Sequence, residues 1–146
     1  MADPFDLERF VQAQDRAIED VLRELRDGRK RTHWMWFVFP QLRALGRSPT
    51  ALRYGIASPA EAQAYMAHPI LGQRLMECTT LVLAVQGRSV HGIFGSPDDL
   101  KFRSSMTLFS SARPDLDVFA KAIRRHFNGA PDPRTTELLS AGSEPS

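Results

Sequence analysis

The sequence predicts an all-α fold, a multihelical single domain with two buried central helices. Three observations lead there. Apolar residues in the first segment recur at helical intervals, several later segments open with a polar residue followed by proline, and no stretch alternates apolar with polar so as to give a strand a partner. At 146 residues the chain has the usual length of one domain, expected over residues 1–142, with residues 143–146 as a disordered C-terminal tail.

Between Phe5 and Leu25 the apolar positions are Leu7, Phe10, Val11, Ile18, Val21, Leu22 and Leu25, with charges filling the other face. This pattern predicts an amphipathic helix capped by Asp6 and ended by Gly28. The next run, Trp34-Met35-Trp36-Phe37-Val38-Phe39, has no polar stripe at either period, so the element is expected to be buried on every side. Its aromatics suit a strand, but Thr32 as cap and Pro40 as stop make it a short central helix. Ser48-Pro49, Ser58-Pro59, Ser96-Pro97 and Asp132-Pro133 each read as cap plus first helical residue, and Ser58 and Ser96 have an acid three positions on. Helices are thus expected at 49–54, 59–67, 69–86, 89–94, 97–109, 115–127 and 133–139. The 69–86 helix carries few charges and is the second buried one.

Composition narrows the function classes. No apolar run reaches the roughly 20 residues of a bilayer span, and the acidic start does not resemble a signal peptide. The single Cys78 excludes an internal disulfide and any multi-cysteine metal site, and no histidine pair has ligand spacing. A cytoplasmic location with neither metal nor cofactor is the expectation. Net charge is only +2, and Glu24 and Asp27 interrupt the basic stretch Arg23–Arg31, so nucleic acid is disfavoured as a partner.

No phosphate loop, dinucleotide fingerprint or nucleophile elbow occurs. What remains are polar groups beside apolar helices. His33 and Gln41 flank the aromatic run and are expected to edge a pocket lined by Trp34, Trp36 or Phe39. Trp34 is taken as the ligand-facing ring and Trp36 as core. In the segment from Asp98 to Phe109, Lys101 shares a helical face with Ser104 and Ser105, a pattern suited to an anion. His33, Gln41, Lys101 and Ser105 are therefore expected at one cleft that binds a small anionic ligand or a protein partner. The alternative is a hydrolase or N-glycosidase acting on a nucleotide-like substrate, with Glu61 or Asp98 as acid–base group and Lys101 on phosphate.

The stretch His33-Trp34-Met35-Trp36-Phe37-Val38-Phe39-Pro40-Gln41 resembles the hallmark of a bacterial family known only as a domain of unknown function, some members of which carry the label calpastatin. The likeness continues through Tyr54-Gly55-Ile56, Glu61-Ala62, His68-Pro69, Glu77-Cys78, Ile93-Phe94-Gly95 and Arg103-Ser104-Ser105-Met106-Thr107-Leu108-Phe109. It implies a multihelical fold with buried central helices and transfers no catalytic residue. An extended disordered inhibitor would not contain this much core. A fainter likeness, to the NADAR-type N-glycosidases, implies the ADP-ribose-like substrate of the alternative reading.

Overall fold

The computed structural model describes residues 2–143 and is helical throughout: α1 (Glu8–Arg26), α2 (Met35–Val38), α3 (Pro49–Arg53), α4 (Pro59–Ala67), α5 (Leu71–Ala84), α6 (Val90–Phe94), α7 (Asp98–Ala112), α8 (Asp117–Phe127) and α9 (Pro133–Ser143). A 3-10 turn spans Arg43–Leu45, and the single extended contact among the described residues is an isolated bridge between Leu42 and Ile56. None of these helices is long and apolar enough to cross a membrane. The expected tail lies outside the described residues beyond Ser143.

The centre of the domain is α7, with α4, α6, α8 and α9 packed around it, while α5 joins that group to α1. Of the two helices expected at the centre, α5 is buried along Leu71, Leu75, Cys78, Val82 and Leu83. The other, α2, is a single turn, because Phe39 and Pro40 end it at once. Its place as a central helix is taken by α7, where Phe102 and every residue from Ser104 to Phe109 are buried. Four phenylalanine and tryptophan rings, Trp34, Phe39, Phe94 and Phe102, meet edge-on, tilted or stacked at 5.0–6.4 Å and tie α2, α6 and α7 together.

Several caps behave as expected. Ser48 and Ser58 each accept a backbone N–H at the start of α3 and α4, and Asp132 accepts both the N–H and the hydroxyl of Thr135 at α9. Ser89 does the same for α6, a cap not among those expected. Three expected caps do not form. Asp6 sits at φ 52° and leaves α1 to Asp3, whose carboxylate accepts the N–H groups of Leu7 and Glu8. Thr32 turns its hydroxyl to Glu24 instead of capping α2. At α7, Pro97 occupies the cap position and no side chain caps the helix.

Candidate functional site

Two buried carboxylates set the geometry of the site from beneath. Glu24, on the inner face of α1, is 3% exposed and accepts from Arg31 N, Thr32 N, Thr32 Oγ1 and Trp34 Nε1 at 2.6–3.0 Å. Burial pushes its pKa up, but these four hydrogen bonds outweigh burial and hold it at about 2. It thereby fixes the loop that delivers α2 and locks Trp34 into the core. Glu61 is equally buried and pairs with Arg9 at 2.8 Å. Its other oxygen accepts the N–H of Ala57.

Arg9 is a second anchor. Besides Glu61 its guanidinium donates to the carbonyls of Phe5, Asp6, Arg53 and Gly55. It therefore clamps the loop from Leu42 to Ile56, whose two ends meet through Arg43 N to Ile56 O at 2.8 Å and Ile56 N to Gln41 O at 2.9 Å. Gly55 allows this closure: a Cβ there would lie 2.5 Å from Arg43 Cα.

Above these anchors, Met35, Trp36, Phe39, Gln41, Tyr54 and Lys101 line a narrow pocket between α2, the loop and the start of α7. Its free volume is about 10 Å³, room for one water-sized group. The Lys101 ammonium lies 5.3 Å from the Trp36 ring centroid, within cation–π range. Its nearest carboxylate is Asp98 at 3.8 Å, and Asp98 is held more closely by Lys30 at 2.9 Å. Trp36 is half-buried and Gln41 is partly exposed.

The structure thus brings together Gln41, Lys101 and an aromatic ring, and separates the other expected contacts. The two tryptophans exchange roles: Trp34 is 1% exposed and bonded to Glu24, whereas Trp36 faces the pocket. His33 is exposed on the loop before α2 and does not line this pocket. Ser104 donates to the carbonyl of Leu100 within its own helix, and Ser105 is fully buried with its hydroxyl unpartnered among the described residues. The hydroxyl face of α7 therefore belongs to the interior, because α4, α6, α8 and α9 surround that helix. The two acid–base candidates are also committed. Glu61 is tied to Arg9 and Ala57, and Asp98 lies between two ammonium groups. Cys78 is buried and its thiol is pushed up to about 12, by burial first and by Glu77 second, the reverse of what activates a thiolate.

Sequence reasoning missed Glu24, Arg9 and Gln14. Gln14, buried on α1, donates to the Phe37 carbonyl at 2.6 Å and to the Tyr65 hydroxyl at 2.9 Å. The signal was positional. Gln14 lies three and four residues after Val11 and Phe10, and Glu24 lies three after Val21, which puts both on the apolar stripe.

The family model "Protein of unknown function (DUF1810)" matches residues 4–139. The chain belongs to this family. Among solved structures it is similar to the conserved hypothetical protein Rv1873 from Mycobacterium tuberculosis, with 59% identity and a TM-score of 0.94. That match covers 94% of this chain and 99% of the other. No curated protein matches the chain. Membership in DUF1810 agrees with the resemblance carried by the aromatic motif, and the motif's residues supply both the core ring Trp34 and the pocket ring Trp36.

Proposed function

We propose that this DUF1810 domain binds a small organic anion at the pocket beside α2. Lys101 contacts the anionic group, Trp36 offers the flat face for the rest of the ligand, and Gln41 supplies an orienting amide. One observation carries this reading: Lys101 stands over the Trp36 ring while its acidic neighbour is already engaged by Lys30. The pocket admits a single oxygen-sized group, so the body of the ligand lies outside it, over the partly exposed indole. Binding fits this site better than turnover, since Asp98, the carboxylate beside Lys101, is already held by two ammonium groups.

The test is a titration with a panel of nucleotides and sugar phosphates, read by thermal melting and tryptophan fluorescence. Trp34 is buried, so a fluorescence change reports on Trp36. The expected result is a compound that raises the melting temperature and alters the emission of the natural chain but acts on neither Lys101→Ala nor Trp36→Leu. A compound that binds all three proteins equally would place its site elsewhere. If the panel has no effect while an acidic peptide does, the site serves a protein partner instead.

A further inference from the structure

Charge in this chain is segregated. Between Asp27 and Glu61 there are six lysines and arginines and no carboxylate, so the rest of the chain is net acidic. Three of those cations, Arg29, Lys30 and Arg31, precede α2. The other three, Arg43, Arg47 and Arg53, lie on the loop that Arg9 clamps. In this fold, cations commonly have partners: Arg9, Arg23, Lys30, Arg31, Arg74, Lys101, Arg113 and Arg124 all form ion pairs. Arg43, Arg47 and Arg53 are exposed and, among the described residues, pair with no carboxylate.

Two of these three converge. Arg43, just inside the first end of the loop, and Arg53, near the second, line one open cleft of about 640 Å³ between the loop and the N-terminal segment. Its walls include Phe5, Pro49 and Leu52, and its floor is the Arg9–Glu61 pair. Arg53 is steadied by the Tyr54 ring at 5.5 Å. The cleft is preorganised, since the bonds from Arg9 to the Arg53 and Gly55 carbonyls and the Leu42–Ile56 bridge fix both loop ends. Asp6 is the one lining carboxylate besides Glu61, which Arg9 already neutralises. Two unpaired guanidinium groups beside apolar walls match a phosphate group, because the planar fork of arginine binds phosphate oxygens two at a time.

We infer that this cleft is a second ligand site, specific for a small phosphorylated molecule gripped by Arg43 and Arg53. It lies on the other side of α3 from the Trp36 pocket, with Gly55 the residue that lines both.

Inorganic pyrophosphate is the probe, titrated calorimetrically into the intact chain at low ionic strength. Arg47 is the internal control, because it shares the loop, the charge and the exposure but does not line the cleft. Arg43→Ala and Arg53→Ala should each weaken pyrophosphate binding about tenfold, the loss of roughly one charge-assisted contact. The double variant should abolish binding at this cleft, while Arg47→Ala leaves it within twofold. Melting curves of the variants confirm that each is folded. Equal losses in Arg43→Ala and Arg47→Ala would reduce the effect to diffuse electrostatics and overturn the site. So would loss in Lys101→Ala alone, which would move the phosphate to the Trp36 pocket. Tight binding of a single-stranded oligonucleotide without any response to pyrophosphate would also end the small-ligand assignment.

Discussion

Glu24 and Glu61 are buried to the same 3% exposure, and each anchors a loop, but they do so by opposite means. At the C-terminal end of α1, Glu24 has no cation partner among the described residues and accepts four hydrogen bonds from one short segment. At the start of α4, Glu61 is one of five acceptors gathered around Arg9, the other four being carbonyls. The first arrangement concentrates the load on the carboxylate and the second spreads it around a guanidinium. Removing Glu24 strands the buried Trp34 Nε1, which has no other acceptor among the described residues, whereas removing Glu61 leaves Arg9 still bonded to four carbonyls. Equal burial therefore does not imply equal sensitivity.

The largest expected effect tests that contrast directly. Glu24→Ala orphans the buried Trp34 Nε1 and the N–H groups of Arg31 and Thr32, a loss of roughly 3–5 kcal/mol in denaturant unfolding. Glu61→Ala should cost about 2 kcal/mol, with a measurable coupling to Arg9→Ala in a double-mutant cycle. If the two losses were equal, the number of alternative acceptors would not be what matters.

Acid sharpens the same comparison. The pKa of Glu24 in the folded chain, about 2, lies below the ordinary glutamate value near 4.3. Its contribution is thus fully present above about pH 5 and is lost as pH falls toward 2, amounting to roughly 3 kcal/mol. Urea unfolding of the natural chain and of Glu24→Gln between pH 6 and pH 2.5 checks this. The stability gap between them should close as the pH drops, and a constant gap would show that Glu24 remains charged or uncharged in both states alike.

How much of this was legible depends on whether the cause was local. The caps of α3, α4 and α9 are contained in four consecutive residues, so Ser48, Ser58 and Asp132 could be read from sequence. The boundaries of α1 and α2 could not, because their polar partners come from elsewhere: Asp3 reaches forward to Leu7, and Glu24 reaches across to Thr32 and Trp34. Glu24 looked like a break in a basic surface run and is a core acceptor. The hydroxyls of α7 looked like a ligand face for a related reason, since nothing within that segment states that four other helices cover it. Gln41 stands at the edge of an apolar run, a local signal, and it lines the same pocket as Lys101, whereas the shared face with Ser104 and Ser105 that pointed to Lys101 turns inward at those two hydroxyls. Trp34 and Trp36 were both recognisable as important, but which ring faced inward was decided by Glu24, ten residues before Trp34.

Gly55→Ala is a smaller perturbation. Its Cβ would press on Arg43 Cα at 2.5 Å, and since the obstruction is backbone, the loop must shift. A cost of about 1–3 kcal/mol is expected, together with loss of pyrophosphate binding at the arginine cleft. Gly87→Ala, with open space around the Cβ but a φ of 75°, is the matching control: it should cost stability through backbone strain without touching either site.

The smallest expected effect on stability is the most informative about function. Lys101 is one-quarter exposed, and its ion pair with Asp98 is long and shared with Lys30. An exposed, shared pair of this kind contributes less than about 1 kcal/mol, so Lys101→Ala should melt within a few degrees of the natural chain. Trp36→Leu, at a partly exposed position, should cost less than Trp34→Ala, which empties core volume and removes a donor to Glu24 at roughly 3–5 kcal/mol. The two tryptophan variants therefore separate structure from function on one short helix. If Trp36→Leu and Lys101→Ala leave the melt nearly unchanged yet remove ligand-induced stabilisation, the pocket is a binding site built on an anchored core. If Lys101→Ala instead destabilises as much as Trp34→Ala, Lys101 is a structural clamp on the Trp36 ring, and the pocket reading falls with it.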